Sequence, residues 1–460
     1  MPVDKINNDA DTHGALLKQI LKLAIPMFIG GAVHTGYHLI NSFWVGRLGA
    51  AAVAVISVCM PINLLLISFG SGLSLAGSIL IAQSYGARDH RQVERIAAQT
   101  FLAMSSFGVL LSIAGYFLSP DILRFMRVEQ AIFADAVHYL RVSFIGLLFL
   151  FFGALYQAVL RGVGETAAPL RIIFAGVVIN AALDPLLIYG WGPIPAFGVG
   201  GAAYATLITQ IVTAIAGMSL MLQSRYGLEF TANKLIPDWQ LIGNIFRLGF
   251  PVSIEQSMQA LTVTAMTIFA AKFGTIILAT YGLAFRVVTF VVMFSFSISM
   301  AISILVGQSI GARNLEKLKQ TARLGTTFNF GSMIVIGGII FLFAHPIATF
   351  FTPHDPVLIA HGATALQIFS FSFAFTAIQL ALGGAFRGAG ATLLAMSLTT
   401  FGAWAIQIPV AHVLSQFTSL RELGLWWSTP IAAVANAIIA IVFFKGQRWI
   451  GTTKAPQTTN

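Results

Sequence analysis

Residues 83–88 read QSYGAR, and residues 308–313 read QSIGAR, 225 positions later. Each copy predicts a helix-ending turn in which the Gly stops the helix and the Arg anchors it at a membrane interface. Chance would not give several matches at one spacing, so we interpret the chain as a tandem duplication. LAIP at 23–26 recurs as LGFP at 248–251, again 225 positions later, and RGVG at 161–164 recurs as RGAG at 387–390, 226 positions later.

Apolar runs fill both copies. Hydrophobic residues make up 57% of the 460 residues and charged residues 9%, whereas a soluble domain has roughly 25% charged residues. This composition excludes a cytosolic enzyme and a nucleic-acid-binding protein. A spanning helix needs about 20 apolar residues, and these runs are too long and continuous for barrel strands. The predicted spans are 16–43, 52–81, 93–118, 131–158, 170–190, 199–222, 241–271, 276–305, 319–344, 357–383, 392–415 and 426–446.

The fold class follows from the count of six spans per copy. Because six is even, both copies start on the same side of the membrane, and the repeats are parallel rather than inverted. We therefore predict an all-α membrane protein with 12 transmembrane helices in two parallel six-helix repeats. The predicted lobes are residues 1–222 and 241–460, joined by a cytosolic linker at 223–240.

Basic residues set the predicted orientation. Most of the 26 Lys and Arg residues fall in segments that are cytosolic if both termini are inside, as the positive-inside rule requires. The net charge of +10 then reflects membrane topology and predicts no nucleic-acid partner. We expect a multi-pass protein of a cytoplasmic (inner) membrane with both termini in the cytosol.

Asp184 is an acidic residue inside a predicted span, where a charge costs several kcal/mol and indicates function. Asn180 lies four residues earlier and faces the same way on a helix. Pro185 follows, so the carbonyl of Ala181 loses its usual N–H partner. Carboxylate, amide and carbonyl oxygens together suit a proton or a hard cation such as Na⁺. The alternative is a helix end near the outer interface, where Asp184 reaches water.

His34, His38 and Asn41 lie on one face of span one, with Tyr37 beside them. Because His changes charge near neutral pH, this stripe can titrate during a transport cycle. Hydrogen-bonded packing histidines are the alternative. Two His four residues apart can also bind a metal, but no HExxH motif accompanies them.

Glu255 is the second acid within a predicted span, and Gln259 continues its face of span seven. It is either a further cation or substrate contact or a residue at the cytosolic mouth.

The sequence contains no GxxxxGK[ST] loop, no Cys/His metal cluster and no nucleophile elbow. The chain is therefore not expected to be an enzyme, to use ATP or to need a cofactor. Uphill transport would have to use an ion gradient.

Several motifs together resemble the MATE (multidrug and toxic compound extrusion) family, most closely its DinF-type prokaryotic branch, over nearly the whole chain. They are VGRLG at 45–49, QSYGAR at 83–88, LRGVGETAAP at 160–169 and NAALDP at 180–185, with RGxGxT in both copies. The resemblance implies two lobes in a V-shaped transporter. It also implies antiport of H⁺ or Na⁺ against lipophilic, mostly cationic drugs and dyes by alternating access, in a bacterial or archaeal membrane.

The resemblance also assigns residues to sites. Asn180 and Asp184 match the family's cation site, which would bind H⁺ or Na⁺, whereas Asn41 stands where the family has an acid, so His34 or His38 would supply a second titrating group. Some sodium-coupled relatives pair an acid in span seven with an acid in span ten. Glu255 matches the first of these acids, but span ten of this chain contains no acid. The predicted cavity residues are Tyr37, Tyr139, Gln157, Glu255 and Gln259, and the predicted hinges are Pro26 and Pro185.

A flippase or exporter of a lipid-linked or polysaccharide precursor is the alternative function. Such proteins often have more spans and a basic cavity for pyrophosphate, whereas the spans here hold two acids and one Arg, which favours cationic cargo. We expect a monomer in the bilayer with small-molecule drugs as its partners.

Overall fold

The computed structural model describes residues 13–221, 232–447 and 449. Over these residues the chain is helical, and the predicted fold class is confirmed. A 3₁₀ turn spans Ala232–Leu235, and Gly402–Gln407 form a π-helical stretch within the helix Thr392–Gln416. The helices are α1 His13–Gly46, α2 Ala50–Gly86, α3 His90–Phe125, α4 Gln130–Gly162, α5 Ala167–Tyr189, α6 Val199–Met221, α7 Trp239–Lys272, α8 Thr275–Gly311, α9 Leu315–Leu342, α10 Ala344–Phe351, α11 Pro356–Gly388, α12 Thr392–Gln416 and α13 Glu422–Lys445.

Twelve of these helices are long, and in the described residues eleven are also apolar enough to cross a membrane. The exception is α7, which has 34 residues and therefore a length of about 50 Å at 1.5 Å per residue. It coincides with the predicted span 241–271. Polar side chains such as Glu255, Gln256 and Gln259 lower its mean hydropathy.

The repeated QSxGAR motif ends a helix in both copies, but not by the predicted residue. Gly86 and Gly311 are the last residues of α2 and α8. Arg88 (φ 60°) and Arg313 (φ 54°) adopt the left-handed conformation. This conformation usually favours Gly and costs a residue with a side chain roughly 1–2 kcal/mol. The predicted turn is present, but the residue whose left-handed backbone turns the chain away from the helix is the Arg and not the Gly.

Close helix crossings are also duplicated. A Cβ atom added at Gly162 would lie 3.0 Å from the carbonyl oxygen of Ser78, and one added at Gly388 would overlap the carbonyl oxygen of Ser303. Gly162 ends α4 against α2, and Gly388 ends α11 against α8. Both crossings therefore depend on the missing side chain, as is typical of helices that pack closely in membranes.

We expect Gly388→Ala to lower the free energy of unfolding by about 1–3 kcal/mol, because the new methyl group meets backbone that cannot move aside. Gly331→Ala is the matched control, since a Cβ atom there meets nothing within 4 Å. On helix propensity alone it should be neutral or slightly stabilising. Thermal unfolding of the detergent-solubilised protein, followed by tryptophan fluorescence, measures both. Equal midpoints for the two variants would contradict the close crossing.

Contacts divide the chain into two compact units. One is Pro26–Ser253, and the other consists of the described residues of Met1–Ile25 and Ile254–Asn460. Both boundaries fall inside a helix, α1 or α7, and not in the linker. This division differs from the predicted lobes because the start of α7 packs in the first unit, where Gly249 and Ser253 adjoin Gly72. Residues 223–231 of the predicted linker lie outside the described residues.

The end of the linker is attached to α3 by side-chain bonds. Buried Gln99 donates to the carbonyl oxygens of Lys234 (3.0 Å) and Ile236 (2.8 Å) and accepts from the backbone N–H of Asp238 (2.9 Å). Arg95 pairs with Asp238 at 2.7 Å. These bonds fix the chain just before α7 begins.

Candidate functional site

Asp184 and Asn180 lie on one face of α5, and both side chains are 0% exposed. Neither carboxylate oxygen of Asp184 has a hydrogen-bond partner, and neither amide atom of Asn180 has one. Leaving such groups buried and unpaired costs about 1–3 kcal/mol each, and more when they are charged. The alternative that Asp184 reaches water at a helix end does not agree with its complete burial. Buried polar groups without partners are typical of a site that receives a ligand.

One tyrosine from each of two other helices lies near Asp184. The carboxyl group of Asp184 is close enough to interact electrostatically with the hydroxyl groups of both Tyr37, on α1, and Tyr139, on α4. The Tyr37 hydroxyl also forms a 2.8 Å hydrogen bond with Thr206 Oγ1, on α6. The fold thus brings together Asp184, Asn180, Tyr37 and Tyr139 from three separate spans.

The histidines of α1 form a small exposed cluster with Tyr37. The ring centroids of His34 and His38 are 4.7 Å apart, and Tyr37 lies 5.9 Å and 5.1 Å from them. Both His side chains are exposed on the surface of the helix. Asn41 is half-buried one turn further along the same helix.

Both predicted hinge prolines lie inside continuous helices. Pro26 is in α1 and Pro185 is in α5. Neither can donate the backbone hydrogen bond that a helix normally makes at that position. Pro26 is also the first residue of its compact unit. A helix with a missing bond bends there more readily than elsewhere.

The donor atoms of the Asp184 cluster suit a small cation. A carboxylate, an amide oxygen and the carbonyl of Ala181 released by Pro185 are oxygen ligands, which H⁺ and Na⁺ both accept. Burial of an uncompensated carboxylate costs several kcal/mol. The cluster therefore gains stability when Asp184 takes up a proton or a metal cation.

Glu255 has a different environment. Its side chain is buried and receives Nη1 of Arg387 at 3.0 Å and 3.2 Å, one bond to each carboxylate oxygen. Thr399 Oγ1 donates a third bond to Glu255, at 3.0 Å. Because Arg387 already neutralises the Glu255 carboxylate, the structure gives no support to the prediction that Glu255 is a further cation contact. Gln259, one turn later, is exposed.

Gln157 lies in α4, away from the Asp184 cluster along the helix. Its side-chain amide donates to the backbone carbonyl oxygen of Gly153 at 3.1 Å. Its backbone carbonyl oxygen accepts a hydrogen bond from Nε of Arg161 at 3.1 Å. Tyr139 and Gln157 are 18 residues apart on one helix, about 27 Å at 1.5 Å per residue. The structure therefore does not place Gln157 beside Tyr37 and Tyr139.

Thr206 is a site residue that the sequence interpretation missed, and Thr209 is a buried threonine on the same helix. Thr206 holds the Tyr37 hydroxyl, and Thr209 is buried with its hydroxyl unpaired. The available signal was a threonine stripe on span six, Thr206, Thr209 and Thr213, at helical spacing. Hydroxyl groups are so common in membrane helices that the stripe alone has little weight.

Comparisons with known proteins agree over nearly the whole chain. The MatE family model matches residues 26–186 and 251–413. The probable multidrug resistance protein YoeA of Bacillus subtilis (strain 168) is 32% identical over 430 residues, 92% of each chain. The probable multidrug resistance protein NorM of Thermotoga maritima is 26% identical over 432 residues, 94% of this chain and 93% of that protein.

Solved structures give the same result. An outward-facing multidrug resistance MATE family transporter of the MOP superfamily superposes with a TM-score of 0.88 at 26% identity, covering 95% of this chain and 97% of the other. Proteins of this family are transporters and not enzymes. The family model covers most of the chain in two matched blocks, one in each copy of the repeat, and the chain therefore belongs to the MatE family of membrane transporters.

Proposed function

We propose that the protein is a secondary active multidrug efflux transporter. It would exchange H⁺ or Na⁺ for lipophilic, mostly cationic compounds by alternating access. The observation that supports this most directly is the Asp184 carboxyl, which is fully buried beside Asn180 without a hydrogen-bond partner. The names of the similar multidrug resistance proteins support the substrate class.

Competition between the ion and the drug for Asp184 would couple ion entry to drug export. When the site faces outside, a proton or Na⁺ binds the carboxylate and removes its attraction for a cationic drug, which then leaves. The neutral site can pass through the closed state at lower desolvation cost than a charged one. Release of the ion to the cytosol restores the charge for the next drug. The ion drives the cycle because it binds one conformation better than the other.

The surrounding side chains would take the substrate and permit the motion. Tyr37 and Tyr139 would present aromatic faces, which attract organic cations. Pro26 and Pro185 would be bending points of α1 and α5. We further propose that the protein works as a monomer in a bacterial or archaeal cytoplasmic membrane with both termini in the cytosol and no cofactor beyond the coupling ion.

Ethidium transport in everted membrane vesicles tests this function. We expect energised vesicles containing the protein to accumulate ethidium above vesicles without it. Collapsing the proton gradient and the sodium gradient separately identifies the coupling ion, since only one treatment should abolish uptake. Uptake that survives collapse of both gradients, or no uptake with any of several cationic dyes, would contradict the proposal.

We expect the double substitution His34→Gln, His38→Gln to change the pH dependence of dye transport, because an imidazole can take up a proton and the Gln amide cannot. His345→Gln is the control, because His345 is an exposed histidine of α10 in the other compact unit. A pH profile of the double variant that matches the wild type would remove both histidines from the coupling scheme.

A further inference from the structure

Arg161, near the end of α4, is a half-buried cation with neutral partners. Its Nε donates to the carbonyl oxygen of Gln157 at 3.1 Å, and its Nη2 donates to Ser74 Oγ at 2.9 Å. Ser74 in turn donates to the carbonyl oxygen of Ala154 at 2.9 Å. Within the part of the chain that the structure describes, Arg161 forms no ion pair.

Arg387 occupies the corresponding place in the second copy and is paired. Its Nη2 donates to Ser299 Oγ at 3.2 Å, and Ser299 donates to the carbonyl oxygen of Leu380 at 2.5 Å. The arginine–serine–carbonyl chain is thus the same as at Arg161. The difference is at Nη1, which in Arg387 holds both carboxylate oxygens of Glu255.

The duplication shows what is missing at Arg161. Subtracting the repeat offset of 225 from Glu255 gives Gly30, on α1. A Cβ atom at Gly30 would lie 3.6 Å from Ile173 Cδ1. In the later part of each copy the repeat offset is 226, so Ile173 corresponds to Thr399, which contacts Glu255 in the second copy. The first copy therefore keeps the arginine, the serine and the carbonyl, but it lacks both the carboxylate of Glu255 and the hydroxyl group of Thr399.

No other acid replaces it among the described residues. Glu165 is close in sequence, but its Oε1 accepts the backbone N–H groups of Ala167 and Ala168 at 3.1 Å each and so caps α5. Nη1 of Arg161 consequently has no partner in the described part of the chain. A half-buried guanidinium without a counter-charge would be stabilised by an incoming anion, and its planar donors suit carboxylate and phosphate groups.

We propose that Arg161 is an anion-binding residue, which holds the carboxylate or phosphate group of an amphiphile in the place that the Glu255 carboxylate has beside Arg387. The apolar side chains of Leu170 and Ile173, next to Gly30, would contact the alkyl part of the ligand. This site goes beyond the proposed exchange of cations at Asp184 and does not depend on it.

Binding of radiolabelled dodecanoate to the purified full-length protein, in a neutral detergent, tests the site by scintillation proximity. We expect saturable binding that dodecyl phosphate displaces and dodecyltrimethylammonium does not. Arg161→Gln should weaken binding about tenfold or more, the usual effect of losing a charged hydrogen-bond partner. Arg171→Gln, which removes the same charge from an exposed position at the start of α5, should leave the affinity unchanged.

Gly30→Glu provides the decisive comparison, because it restores the internal carboxylate without altering Arg161. Its affinity for dodecanoate should be about tenfold lower than that of Gly30→Gln, which has the same size and no charge. Equal affinities for these two variants would overturn the proposal. If neither variant folds, Arg161→Gln decides: an affinity equal to that of the wild type overturns it.

Two further arms identify the source of the anion and separate this site from the transport proposal. In nanodiscs containing phosphatidylglycerol, a lipid ligand would lower dodecanoate affinity for the wild type but not for Arg161→Gln, whereas a free ligand would give the same affinity as in phosphatidylcholine nanodiscs. Asp184→Asn should bind dodecanoate like the wild type, even where it fails to transport dye. Loss of dodecanoate binding in Asp184→Asn would overturn an independent site at Arg161.

Discussion

Asp184→Asn is expected to reduce gradient-driven dye transport to the level of vesicles without the protein. The amide has nearly the size of the carboxyl group but cannot take up or release a proton, and it binds Na⁺ without the charge that the exchange requires. Because Asp184 is fully buried without a partner, the neutral amide should not lower stability, since it avoids the desolvation cost of the charge. Ethidium uptake and the thermal midpoint together measure both effects.

Asp135→Asn is the matched control for this substitution. Asp135 is an exposed acid on α4, and its replacement removes the same charge without touching the buried cluster. We expect Asp135→Asn to transport dye like the wild type. Gradient-driven uptake retained by Asp184→Asn, with normal amounts of protein in the membrane, would contradict the coupling role of Asp184.

Glu255→Gln is expected to lower the free energy of unfolding by about 3–5 kcal/mol, the typical effect of removing one partner from a buried ion pair. Arg387 is 4% exposed and would keep its charge with only Ser299 Oγ and the new amide as partners. Tryptophan fluorescence can follow unfolding of this unit, because Trp426 is buried in it and stacks on Tyr281.

Replacing both Glu255 and Arg387 distinguishes the cost of leaving one charge without its partner from the cost of lost side-chain packing. The double variant Glu255→Leu, Arg387→Met removes both charges and leaves no uncompensated ion, so it should recover most of the stability that Glu255→Gln loses. A thermal midpoint of Glu255→Gln equal to that of the wild type would show that Arg387 does not depend on Glu255 for its counter-charge.

Local features of the fold could be predicted from the sequence because they depend on neighbouring residues. Continuous apolar runs gave the helices, since only a helix satisfies its backbone in lipid. Asn180 and Asp184 share a face of α5 for the same local reason, a spacing of four residues. The turn after QSxGAR was also local, although the sequence did not show that Arg88, and not Gly86, adopts φ 60°.

Contacts between distant helices could not be predicted in this way. Glu255 and Arg387 are 132 positions apart, and the sequence alone left Glu255 as either a cation contact or a residue at the cytosolic mouth. The bond between Tyr37 and Thr206, 169 positions apart, was missed for the same reason. Gln157 and Tyr139, both predicted to line the cavity, lie about five helical turns apart on α4, so they are not neighbours.

The sequence by itself determined that the chain is a duplicated helical membrane protein with two acids, Asp184 and Glu255, in predicted spans. Hydropathy and repeat spacing are properties of the order of residues, so they need no coordinates. Only the tertiary structure decided which charges are compensated: Glu255 has Arg387, whereas Asp184 and Arg161 have no counter-charge in the described residues. Compensation depends on distances between side chains of different helices, and those distances are set by helix packing.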